Sequence, residues 1–231
     1  MVMALNAVLF DLDNTLVDFM QFKRQCSSAA IRAMIEAGLG ISEEKACAIL
    51  FRMYDDFGWE DQRIFERLLR KVNGGVDYRV LASGIAAYRR MKAGSMAPYP
   101  RVRETLIKLK SFGLKLGIVS DAPRMQAWLR LAEMNLSEFF DVVVALEDTG
   151  RLKPSRLPFR QAIKKLGLKP EEILFVGDNP ERDIKGAKAM GMKTALAEYG
   201  QIVKAKSKAD FVLKEPADLL KVAGNANCLI K

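Results

Sequence analysis

The sequence predicts an α/β protein, a doubly wound parallel sheet of Rossmann-like form with an all-α helical bundle inserted near its start. Three observations lead there. From Pro98 onward, short apolar runs of strand-forming residues alternate with helical stretches, the pattern of a parallel sheet covered on both faces. Between residues 17 and 98 four amphipathic helical stretches follow one another with no strand between them. The 231 residues are half hydrophobic and 28% charged, which is globular composition and enough chain for a core domain plus a smaller one.

In chain order, Val8, Leu9 and Phe10 form a buried strand that ends abruptly in Asp11, Asp13, Asn14 and Thr15. Two carboxylates at a strand's carboxyl end lie where such sheets bind ligands, although the same residues also make an ordinary polar turn that caps a helix. Ala29, Ala30, Ala33, Met34 and Ala37 recur at helical spacing and stop at Gly38. Ser42 is placed to cap a helix over Glu43–Phe57 that Gly58 ends. Ile64, Phe65, Leu68, Leu69 and Val72 stripe a third helix closed by Asn73-Gly74-Gly75, and residues 78–93 supply a fourth. The paired prolines of Pro98-Tyr99-Pro100 mark the return. The expected division is therefore a core of residues 1–17 and 98–231, and a helical domain of residues 18–97.

In the second part, helices are expected over Val102–Ser111 and residues 123–134, 159–166 and 181–190. Strands are expected over residues 114–119, 142–145, 173–176 and 194–197, with another at Phe211–Leu213. Lys153 then follows the 142–145 strand by a short loop.

Composition narrows the chemistry. There is no histidine, which removes Ser-His-Asp and Cys-His mechanisms and His-containing zinc sites. Cys26, Cys47 and Cys228 are odd in number and far apart, so reduced thiols are expected in place of disulfides. The net charge of +9 is spread over helices and interleaved with Glu and Asp, which fits solvated faces and argues against nucleic acid as partner. An anionic small substrate would gain from the remaining positive field. No apolar run reaches membrane-span length, and no basic residue precedes Lys23 as a secretory signal requires, so a cytoplasmic protein with no membrane partner is expected.

Further polar groups fall at strand ends: Ser120 after residues 116–119, Lys153, and Asp178 with Asp183 after residues 173–176. With Asp11 and Asp13 they would converge on one rim of the sheet. Asp-Leu-Asp-Asn-Thr, Val-Ser-Asp, Leu-Lys-Pro and Gly-Asp-Asn-Pro-Glu-Arg-Asp, in that order, resemble the four motifs of the haloacid dehalogenase (HAD) superfamily of phosphohydrolases. The resemblance covers nearly the whole chain, and the helical insert is similar to that family's C1-type helical cap.

The resemblance implies a phosphatase acting on a small phosphorylated metabolite. Asp11 would form an aspartyl-phosphate, and Asp13 would protonate the leaving oxygen and later accept a proton from water. Mg2+ would be held by Asp11, the Asp13 carbonyl and Asp178, with Asp183 near the metal or paired with Lys153. Ser120, the neighbouring backbone at Asp121, and Lys153 would bind the phosphoryl group. The sequence departs from the family's frequent Ser/Thr-Asn-Gly continuation, having Asp121-Ala122-Pro123. The rival readings are a 2-haloacid dehalogenase, which has no leaving oxygen to protonate and needs no metal, a phosphomutase, and a non-catalytic scaffold.

Overall fold

Strand β1 (Ala7–Phe10) lies at the middle of the fold because all four of its residues are apolar and buried. The computed structural model describes residues 5–227. It pairs β1 in parallel with β2 (Lys115–Val119) on one side and β4 (Ile173–Gly177) on the other, placing Phe10 opposite Ile118 and Val176. Outside these lie β3 (Val142–Val144), β5 (Lys193–Ala197) and β6 (Phe211–Leu213), completing a parallel sheet of order β3-β2-β1-β4-β5-β6. The order reverses direction between β1 and β4, the switch at which a crevice opens at the carboxyl ends of the strands.

The period-2 alternation of strand side chains distributes the core. Ala7 and Leu9 join Phe159, Ala162, Leu166 and Phe175 in one layer, where helix α8 (Arg156–Leu166) packs. Phe10 and Val176 belong to the other face, against Val102 and Leu106 of α5 (Val102–Ser111) and Leu219 of α10 (Asp218–Asn227). Helix α10 was not anticipated from sequence. Its start is fixed by the Asp218 carboxylate, which accepts from the backbone N–H groups of Lys214 and Glu215.

Two expectations in this part are corrected. Between β3 and Lys153 the chain makes a one-turn helix, α7 (Leu146–Thr149), where a plain loop was expected; the Asp148 carboxylate secures it by accepting from the Ala145 N–H at 2.8 Å. In place of one helix over residues 181–190 there is a π-type turn (Pro180–Ile184) followed by the short α9 (Lys185–Lys188). Asn179 imposes that turn, its side-chain oxygen accepting from the N–H groups of Glu181 and Arg182 while its own N–H donates to the Asp183 carboxylate.

The chain up to Asp18 and again from Ala97 forms one compact unit, and Phe19–Met96 forms the other. The second unit holds α1 (Phe19–Glu36), α2 (Glu43–Phe57), α3 (Ile64–Asn73) and α4 (Tyr78–Ser95). The Ser42 hydroxyl caps α2 by accepting from the Lys45 N–H, and left-handed Gly74 ends α3. Ile31, Met34, Leu50, Leu68, Leu69 and Val80 meet in its core. Cys26 and Cys47 form no disulfide among the described residues; Cys228 lies outside them.

In the first unit, the loop after β1 is held at both ends. Asn14 takes a left-handed conformation at φ 59° and its N–H donates to the Val17 carbonyl at 2.7 Å. Val17 in turn pairs antiparallel with Pro98, and the Tyr99 N–H donates to the Leu16 carbonyl at 2.8 Å. Gly200 lies against this loop so closely that a Cβ there would overlap the Asn14 carbonyl. The Tyr199 hydroxyl donates to the Thr15 carbonyl at 2.8 Å.

Candidate active site

The ends of β1, β2 and β4 deliver polar groups to the same rim. The Asp11 N–H extends the ladder from β1 by donating to the Val176 carbonyl at 2.8 Å, and the Ser120 N–H does the same from β2 to the Val144 carbonyl at 2.9 Å. Asp11 and Ser120 are thus carried on backbone that sheet hydrogen bonds fix, and both are buried. Asp178 follows Gly177 directly, and the Asn179 turn brings Asp183 back over the strand end. Gly177 is required there, because a Cβ would come within 2.5 Å of the Asp183 side chain.

Carboxylate oxygens of Asp11, Asp178 and Asp183 lie within 4.8 Å of one another, all buried. The Lys153 ammonium sits among them, 2.7 Å from Asp11 Oδ1 and 2.7 Å from Asp183 Oδ1, with its side chain wholly enclosed. It also donates to the Val119 carbonyl at 3.0 Å. Three acceptors thereby surround an ammonium with three protons. The loop that carries Lys153 is pinned by its own N–H, which donates to Asp121 Oδ1 at 2.8 Å.

Three carboxylates against one buried ammonium leave an excess of negative charge out of water. Burial, then Asp11 and Asp183, push the Asp178 carboxyl up to about 8. Burial also pushes Asp183 up to about 6, against the pull of Lys153. For Lys153 the order reverses: burial works against its charge, but Asp11 and Asp183 hold it above the usual lysine range. Oδ1 of Asp178 is buried and accepts no hydrogen bond from any described residue. A buried carboxylate oxygen without a donor, in a cluster of hard oxygens with surplus negative charge, fits a small divalent cation.

The raised carboxyls predict how the cation-free protein behaves. A carboxyl that binds its proton more tightly folded than unfolded stabilises the fold fully below its unfolded value near 4, and that stabilisation is lost as pH rises through the folded value. Asp183 and Asp178 therefore make stability in EDTA fall between about pH 4 and about pH 8, by up to about 1.4 kcal/mol per pH unit for each group titrating. Asp141 and Asp210, held low, act only at more acid pH. Urea unfolding in EDTA at several pH values checks this, and stability that is flat or rising between pH values of about 6 and 8 would contradict it.

The remaining expected residues are placed differently. The Ser120 hydroxyl accepts from the Ala122 N–H at 3.1 Å, as in a turn. Asp121 directs its carboxylate into the protein, to the Lys153 backbone and to Arg182 Nη1 at 3.3 Å, so its backbone is what it can offer an anion. Asp13 stands apart from the acidic cluster and pairs with Arg130, Oδ2 to Nη1 at 3.1 Å. Sequence reasoning named neither Arg130 nor Arg182. For Arg130 a signal existed: it shares with Ala127, Leu131 and Met134 the apolar stripe of α6 (Arg124–Glu133), where a charged residue needs a partner.

Comparison with known proteins gives a consistent picture. Residues 8–197 match the family model of haloacid dehalogenase-like hydrolases. A glyceraldehyde 3-phosphate phosphatase of Methanocaldococcus jannaschii is 36% identical over 197 residues, covering 85% of this chain and 86% of that protein. Pyrophosphatase PpaX of Halalkalibacterium halodurans is 32% identical over 229 residues, covering 96% of this chain and 98% of that protein. The crystal structure of a HAD phosphatase from Thermococcus onnurineus covers 96% of this chain and 100% of its own, with TM-score 0.67 and 27% identity. Among the described residues no helix is long and apolar enough to cross a membrane.

Proposed function

The chain belongs to the haloacid dehalogenase-like hydrolases, and from that footing we propose that it is a magnesium-dependent phosphatase of small phosphate monoesters of the triose phosphate class. The observation that carries the reading is Asp11, a buried carboxylate at the end of the central strand, ion-paired to Lys153 and clustered with Asp178 and Asp183. In this reading the helical unit Phe19–Met96 is the cap.

Asp11 attacks phosphorus, forming an aspartyl-phosphate as the bond to the leaving oxygen breaks. The Asp13 carboxyl gives its proton to that oxygen, then accepts one from the water that attacks the acyl phosphate, which returns Asp11 as a carboxylate and releases inorganic phosphate. Lys153 offsets charge on the transferring group, and the Ser120 hydroxyl with the backbone of Asp121 donates to its oxygens. Asp11, Asp178 and Asp183, with the Asp13 carbonyl, would hold Mg2+, which screens phosphoryl charge from the carboxylates when bound. A dehalogenase needs neither a proton donor nor a carboxylate cluster of this kind, so Asp13 and Asp178 favour the phosphatase.

The test is release of inorganic phosphate from a panel that includes glyceraldehyde 3-phosphate, other sugar phosphates and pyrophosphate. Activity on glyceraldehyde 3-phosphate should drop by at least about 100-fold in EDTA and return with Mg2+. A pyrophosphatase relative supports a second reading, which faster turnover of pyrophosphate than of any monoester would favour. No phosphate release from any member of the panel with Mg2+ present overturns the proposal.

A further inference from the structure

We infer that Arg130 is the positioning residue for Asp13, holding the proton-carrying carboxylate toward the leaving oxygen as Lys153 holds the nucleophile. The inference rests on the reading of Asp13 as proton carrier.

Arg130 lies in the last turn of α6, on the side of Ala127 and Leu131, which are both fully buried. Its own side chain is 5% exposed. A guanidinium keeps its charge under all ordinary conditions, so one enclosed this far is tolerated only opposite an anion. Asp13 supplies such an anion, at 3.1 Å.

The backbone at Asp13 is already fixed by its bridge to Val17 and by the left-handed turn at Asn14. The rotation of its carboxylate is not fixed by those bonds, and the contact with Arg130 constrains it. The two aspartates of one turn therefore have separate cations from separate elements: Lys153 from the loop before α8 and Arg130 from α6.

Leaving groups of different quality separate positioning from mere support of the fold. 2,4-Dinitrophenolate departs without a proton, whereas phenolate gains much from one. Arg130→Met is expected to lower kcat/KM for phenyl phosphate at least about 10-fold more than for 2,4-dinitrophenyl phosphate, with Arg130→Lys intermediate. Asp13→Asn should show the same asymmetry, and adding Arg130→Met to it should cost little more. Equal loss on both substrates in Arg130→Met, or in Arg130→Lys where the methionine variant does not fold, overturns the assignment of Arg130. If Asp13→Asn itself shows no asymmetry, it is the role of Asp13 that fails, and the inference falls with it.

Discussion

Replacing Asp11 by asparagine is expected to lower phosphate release by at least about 10⁴-fold while the protein stays folded. The amide has the shape of the carboxylate but cannot form an acyl phosphate that water then cleaves. The fold tolerates the change because two effects oppose each other. Lys153 loses one of its two anionic partners, and Asp178 and Asp183 lose a neighbour that burdens them both. A thermal melt within a few degrees of the parent, together with loss of the acid-stable phosphoryl adduct on the Asp11 peptide after quenching, is the expected pair of results. Residual turnover above one part in about a hundred would move the nucleophile elsewhere.

Lys153→Met is the second large effect, and it reaches stability as well as rate. The lysine side chain is fully enclosed, so its removal leaves Asp11 and Asp183 buried without the cation that compensates them. Breaking one side of such a buried network costs about 3–5 kcal/mol, because the stranded charges keep their desolvation penalty. Unfolding by urea in EDTA at neutral pH should show that loss. Saturating Mg2+, placed among the same carboxylates, should recover much of it, and mild acid should shrink it as Asp183 and Asp178 take up protons. The fold would return but not the rate: kcat should stay about 10²–10³-fold down, since in the proposed mechanism Lys153 also offsets charge on the phosphoryl group. A variant as stable as the parent in EDTA would mean that the ammonium is not what keeps the carboxylates in place.

Local signals explain which parts of this molecule were readable in its sequence. The α/β class followed from β1, where the run of residues 7–10 has no polar side chain, and from the alternation after Pro98. Ser42, Gly58 and Gly74 act within a turn of themselves, and the helices they bound lie where these residues place them. Asp11 and Asp178 were legible because each directly follows a strand that parallel pairing carries to one rim, whereas Lys153 joins them only through the loop beyond α7 and Asp183 only through the Asn179 turn. What was missed depends on partners distant in the chain or on competing short-range bonds. The α6 stripe shows that Arg130 is out of place, but nothing near it in sequence names Asp13. The turn at Pro180–Ile184 reads as helix by propensity, and Asn179 diverts it by capturing the N–H groups a helix would leave to water. The turn of α7 is likewise held by one side chain, Asp148, over too few residues for any periodicity to appear.

The antiparallel pairing of Val17 with Pro98, backed by the bond from the Tyr99 N–H to the Leu16 carbonyl, makes the helical insert portable. Its two attachment points are side by side and are stitched by core residues alone, so the entropy of closing that long loop is met without any contribution from the insert. Chains of other lengths and shapes can be spliced between the same two strands while β1, the Asp11–Asp13 turn and the sheet register stay as they are. What lies between residues 17 and 98 can thus be exchanged without rebuilding the turn that carries Asp11 and Asp13.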